Sequence, residues 1–103
     1  MSESSSHKRA KAKAAGNKGK TEVPLSRGRR LDALTPSGRA TEVERSGTST
    51  GLKKAAKRLQ DSGAKQRVLQ VPQHHMPKAR EEMKKQGVKG TVKNMSGTKR
   101  QNV

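Results

Sequence analysis

Acidic residues are the scarce charged type in this chain, 8 against 25 Lys and Arg, so their placement carries information. They are Glu3, Glu22, Asp32, Glu42, Glu44, Asp61, Glu81 and Glu82. Glu22, Asp32, Glu42 and Glu44 fall in short stretches with strand character, where alternate side chains share a face. Between Asp32 and Glu42 stands Pro36-Ser37-Gly38, in which proline presets a turn and glycine takes its left-handed position. A three-residue hairpin loop there pairs Thr35 with Arg39, Leu34 with Ala40, Ala33 with Thr41 and Asp32 with Glu42. Asp32 and Glu42 then stand opposite each other, and Glu44, two residues on, shares their face. Like charges across a sheet repel, so the patch calls for a cation. A divalent metal is one solution, since Mg²⁺ (or Mn²⁺) takes carboxylate oxygens, waters and a substrate phosphate. Basic neighbours such as Arg30, Arg45 or a lysine are the other, and the residue types leave both open.

Other reactive residue types read as structural. Asp61, Glu81 and Glu82 fall on helix surfaces among lysines and arginines, as solvated charges. His74 and His75 are adjacent, so they diverge on a strand or a helix and make a poor shared metal site; a loop or helix start is expected. Met76 and Met83 read as core filler. No GxxxxGK[ST] run is present, and the glycines fall at element ends. Ser46–Gly51 reads as a helix cap that could also offer backbone N–H groups to a phosphate. Nothing local supports Ser-His-Asp catalysis.

The elements that must position these residues follow from turn signals and apolar spacing. A polar tail, expected to be disordered, covers residues 1–6. His7–Ala15 is a helix of Ala and Lys stopped by Gly16. Thr21–Leu25 is a strand end or edge strand, because Pro24 lacks a donor. Arg29–Thr35 and Arg39–Arg45 form the hairpin. Leu52, Ala55, Ala56 and Leu59 recur at helical spacing after Thr48-Ser49-Thr50, and Gly63 closes that helix. Lys65–Val71 is a strand bounded by Pro72. Pro77 opens a further helix with Met76, Ala79 and Met83 as its apolar stripe, ended by Gly87. Val88–Val92 is a last strand, and residues 93–103 are a basic tail. The expected fold is α/β: a small mixed sheet with an N-terminal helix, a three-strand meander and then helix-strand-helix-strand, with flexible basic termini. Residues 7–92 form a single small domain.

Composition bounds the function. The net charge is +17 over 103 residues, with no Phe, Tyr, Trp or Cys. Disulfide scaffolds, cysteine zinc sites and thiol catalysis are excluded, and so are aromatic stacking platforms for single-stranded bases. No apolar run approaches the roughly 20 residues that span a bilayer, and the basic segments lack the apolar face of interfacial helices. No apolar stretch follows the basic N-terminal segment, so no secretory signal is expected. The expected setting is cytoplasmic, nucleoid-associated or nuclear, with no membrane partner. Hydrophobic content of 26% with high net charge is also a signature of disorder. The regular placement of the aliphatic residues between Val23 and Val92 argues for a fold instead. The expected partner is nucleic acid, bound through counterion release.

The stretches RRLDALT (Arg29–Thr35) and ATEVER (Ala40–Arg45) resemble the motifs of the PD-(D/E)xK nuclease superfamily of restriction endonucleases and Holliday-junction resolvases. The element order from Glu22 to Val92 is also similar to that family's core. The resemblance implies that Asp32 and Glu42 are Mg²⁺ or Mn²⁺ ligands, with Glu22 and Glu44 assisting catalysis. Glu44 stands where the family usually has Lys, although a Glu-x-Glu form occurs in some restriction enzymes. Lys20, Arg45 or a metal-bound hydroxide would then position the attacking water. Gln70 matches an auxiliary polar position. Lys8, Arg9, Lys20, Arg29, Arg30, Arg45, Lys53 and Lys54 are the expected nucleic-acid contacts. The implied function is a metal-dependent endonuclease or branched-DNA resolvase, with DNA favoured over RNA and a homodimer as one route to cutting two strands. The alternative is a non-catalytic basic protein, architectural, packaging or ribosome-associated, that binds nucleic acid by charge.

Overall fold

The Pro36-Ser37-Gly38 turn sets the register of the sheet. In the computed structural model, which describes residues 5–25 and 28–103, Gly38 takes a φ of 94°, a conformation that suits glycine. The Thr35 N–H donates to the Arg39 carbonyl at 3.0 Å and the Gly38 N–H to the Thr35 carbonyl at 3.0 Å. The flanking strands, β2 (Arg30–Leu34) and β3 (Arg39–Val43), pair Leu34 with Ala40 and Ala33 with Thr41, as the loop length requires.

Around this hairpin the chain runs α1 (Ser5–Ala15), β1 (Lys20–Pro24), β2, β3, α2 (Ser49–Asp61), β4 (Gln66–Gln70), α3 (Met76–Lys85), β5 (Thr91–Lys93) and β6 (Arg100–Asn102). Residues 1–4 of the expected tail lie outside the described residues, and α1 already includes Ser5. The sheet order is β1-β2-β3-β4-β5-β6. β1, β2 and β3 form an antiparallel meander, β3-β4 and β4-β5 are parallel, and β5-β6 is antiparallel. The parallel pairs need crossovers, which α2 and α3 supply. Both crossovers step in the same direction, so with the usual right-handed connection both helices cover one face. α1 packs on β1, β2 and β3. Expected and observed architectures therefore agree: a small α/β domain with a leading helix, a meander and then helix-strand-helix-strand.

The core lies between the sheet and the α2–α3 layer. Leu31, Leu52, Leu59, Leu69, Val71, Met83, Val88 and Val92 are buried there. Thr48 caps α2, its hydroxyl accepting the Gly51 N–H at 3.0 Å. His74 and His75 sit in a 3-10 turn ahead of α3, and Pro77 occupies the first turn of that helix, where its missing N–H is harmless. Met76, Ala79 and Met83 form the buried stripe. Glu82 departs from the expected solvated position: it is buried and accepts from the Gln86 amide at 3.3 Å. Among the described residues no helix is long and apolar enough to cross a membrane.

The C-terminal segment adds an element to the expected order. Arg100–Asn102 pairs with β5 as β6, and the Val103 N–H donates to the Gly90 carbonyl at 2.9 Å. All three β6 residues are exposed, so no hydrophobic alternation marked this strand in the sequence.

Candidate functional site

The β2–β3 ladder opens one step beyond Ala33 and Thr41, where Asp32 and Glu42 lie. Each carboxylate takes the place of a missing backbone acceptor. Glu42 Oε2 accepts the Asp32 N–H at 2.8 Å, and Asp32 Oδ2 accepts the Val43 N–H at 2.8 Å. Glu42 is only 1% exposed, and its other oxygen lies 3.4 Å from Arg58 Nη1 on α2. His7 Nε2 on α1 approaches Asp32 Oδ2 to 3.5 Å. Burial first, and then the charge and hydrogen bond of Asp32, push the Glu42 carboxyl up to about 9. At neutral pH the pair therefore retains a proton on Glu42 unless a cation replaces it. Asp32 and Glu42 are the residues that could hold a divalent ion, although no group of three or more His, Cys, Asp or Glu gathers for one among the described residues.

The other two strand acids leave this pair. β3 ends at Val43, so Glu44 no longer follows its alternation. Glu44 accepts the Ser46 N–H at 3.0 Å and lies beside Gly51 at the start of α2, where a carboxylate complements the helix dipole. Glu22 has a φ of 53°, uncommon for a residue with a side chain, within a strand that pairs Thr21 with Ala33 and Val23 with Leu31. It meets Lys11 Nζ at 2.5 Å. The Lys11 side chain is 5% exposed, so this contact supplies its counter-charge. The Lys11 hydrogen bond is the main cause that holds the Glu22 carboxyl below its usual range.

The expected nucleic-acid contacts are scattered. Lys53 and Lys54 are exposed on α2, Lys20 and Arg30 are exposed at strand starts, and Lys8 is exposed on α1. Arg29 pairs with Asp61. Arg9 and Arg45 come together beside a different set of residues. α1 covers the meander, and among the described residues no helix covers the β4–β6 half of that face. The register puts Arg39 and Thr41, Gln66, Val68 and Gln70, Thr91 and Lys93, and Arg100 on that open face. A cavity of about 370 Å³ lies between α1 and these strands. Among the described residues, Arg9, Lys13, Arg39, Arg45 and Lys93 line it and no acid does. A neighbouring hollow of about 310 Å³ shares Arg39 and Lys93 and adds Arg100. Gln70, on the floor, donates to the carbonyls of Asn94 at 3.3 Å and Met95 at 3.0 Å, which ties down the loop that forms one wall. Burial, then Arg100, Arg39 and Lys13, push the Lys93 ammonium below its ordinary value.

The sequence reading missed Lys13, Arg39, Lys93 and Arg100. Lys13 is one of several lysines on an Ala-Lys helix, and Lys93 and Arg100 fall in the segment read as a tail, so no local signal separates them from other basic residues. Comparison with known proteins finds no matching family model, no matching curated protein and no matching solved structure.

Proposed function

We propose that this chain binds the phosphate backbone of nucleic acid, without base specificity, across the open half of the sheet beside α1. The observation that carries the reading is the convergence of Arg9, Lys13, Arg39, Arg45 and Lys93 on one cavity, in a chain of net charge +17. Cations gathered around one cavity attract a polyanion, and each phosphate neutralised releases condensed counterions. The lack of aromatic side chains favours backbone contact over base stacking. Fluorescence anisotropy with duplex and single-stranded DNA and RNA tests the reading. Affinity is expected to fall steeply with salt. On duplex DNA, Lys13→Ala with Arg39→Ala is expected to reduce the salt slope by about 0.9 for each phosphate that is no longer neutralised. A salt-independent affinity, or none at low salt, overturns it.

The Asp32–Glu42 pair favours a second reading on the same substrate: Mg²⁺-dependent phosphodiester hydrolysis of the kind expected from the nuclease resemblance. Asp32 and Glu42 would hold the ion, which supplies charge stabilisation and an activated water. Arg45 and Lys93 would hold the strand. Neither Glu22 nor Glu44 is assigned to the metal, since each is engaged elsewhere. Supercoiled, linear and branched DNA incubated with Mg²⁺ or with chelator separates the readings. Cleavage that needs metal and is lost in Asp32→Ala and Glu42→Ala supports hydrolysis. Binding of every substrate, uncut and unaffected by those substitutions, leaves the binder.

A further inference from the structure

The cavity beside α1 selects among the phosphates that a nucleic acid can offer. Its floor is the sheet, through Thr41, Gln70 and Lys93, one wall is α1 and the other is the loop from Met95 to Gly97. Thr41 and Gln70 are buried, so the floor is polar and held in place, and Gln70 fastens the loop wall. Lys93 is partly buried on this floor, and the groups that perturb it after burial are all cations: Arg100, Arg39 and Lys13. Among the described residues no carboxylate lines the cavity, so every charged side chain described there attracts an anion.

An internal phosphodiester carries one charge and two ester arms that must both leave the site. A terminal phosphate monoester carries a charge between about −1.5 and −2 near neutral pH, offers three strong acceptor oxygens and has one arm. Several convergent cations around a walled cavity suit the second group better. Charge-assisted hydrogen bonds to it are roughly twice as strong as neutral ones.

We propose that this cavity receives a phosphate monoester, the phosphorylated end of a nucleic-acid strand, with Lys93, Arg39 and Lys13 as its principal contacts. The proposal rests on the reading of the chain as a nucleic-acid binder and specifies which part of the strand that surface grips. The site differs from the Asp32–Glu42 pair, which would meet phosphate only through a cation.

The test compares oligonucleotides of one sequence and length that carry a 5′-phosphate, a 3′-phosphate or hydroxyls at both ends. Binding is measured by fluorescence anisotropy in chelator, so that no strand is cut. One phosphorylated end is expected to bind about 10-fold tighter than the hydroxyl-ended strand, and millimolar inorganic phosphate to reduce that excess. Lys93→Met keeps the apolar stem, and Arg39→Gln alters an exposed side chain. Each is expected to bring the ratio close to 1, with its folded far-UV circular dichroism retained. Lys84→Ala removes the same charge from the exposed surface of α3 and is expected to keep the ratio. Equal affinity for all three oligonucleotides overturns the phosphate-end site and leaves general nucleic-acid binding standing. Absence of binding to any of them at low salt overturns both.

Discussion

A carboxyl group as buried as Glu42, in contact with a second carboxyl, holds its proton well above the pH at which an exposed glutamate loses it. Its folded pKa of about 9 lies above the 4.5 of an unperturbed glutamate. The folded state thus binds the proton more tightly than the unfolded state, and the stability it contributes is complete below about 4.5 and is lost as pH rises toward 9. Thermal unfolding in chelator is expected to show a melting temperature that declines across that window. Glu42→Gln mimics the protonated group, retains an acceptor for the Asp32 N–H, and is expected to flatten the profile and stabilise the chain by on the order of a few kcal/mol at pH 8. If Asp32 and Glu42 bind Mg²⁺, the ion raises the melting temperature of the unsubstituted chain more at pH 8 than at pH 5, and that gain is absent in Glu42→Gln. An identical Mg²⁺ response in both chains counts against metal binding by the pair.

At the scale of elements, local rules account for much of what is seen. The Thr48 cap, the Pro36–Gly38 turn and the apolar spacing of Leu52, Ala55, Ala56 and Leu59 each follow from a few neighbouring residues. Thr48→Ala is expected to lower stability by about 1 kcal/mol in denaturant melts, the usual worth of a side-chain cap. Gly90 answers to a different constraint. A Cβ there would run into the carbonyl oxygen of Arg67, where β4 and the segment leading to β5 approach closely. Backbone must move to admit it, so Gly90→Ala is expected to destabilise by about 1–3 kcal/mol and to loosen β5 and β6 first, read as faster amide exchange at Val92 than at Leu69. The expected strand Val88–Val92 runs through Gly90, whereas β5 begins only at Thr91, and the close approach of Arg67 is what calls for glycine there.

At the scale of the molecule, a net charge of +17 works against a small core. Self-repulsion destabilises the compact state, and the largest fully buried side chains are a few aliphatics and Met83, with the polar Glu42 and Thr41 among them. Melting temperature is therefore expected to rise with ionic strength, and to rise further at the same ionic strength when the anion is phosphate or a nucleic-acid polyanion that binds the folded state. Equal effects of chloride and phosphate at matched ionic strength would mean that screening alone is at work. Leu69, fully buried on the central strand β4, tests how far the core is shared: Leu69→Ala is expected to cost about 2–5 kcal/mol and to abolish the folded far-UV spectrum at low salt before it does so at high salt.

Turn chemistry, caps and hydrophobic period are written within a few residues, and so the hairpin register, the order of elements from α1 to β5 and the α/β class were legible in the sequence, while β6 was not. The sequence also singled out Asp32 and Glu42, because a loop of known length fixes which residues face each other across it. It did not determine how those two carboxylates are held, since the ladder opens at their position and each side chain binds the opposite backbone. Nor did it separate Glu22 and Glu44 from them, because their partners, Lys11 and the start of α2, lie on elements that only packing brings near. The cationic cavity was the least legible feature. Its basic residues come from α1, β3, the segment after β3 and β5, and any one of them reads locally as another solvated base. Tertiary structure decided which of 25 basic residues converge, because convergence depends on which half of the sheet a helix leaves uncovered.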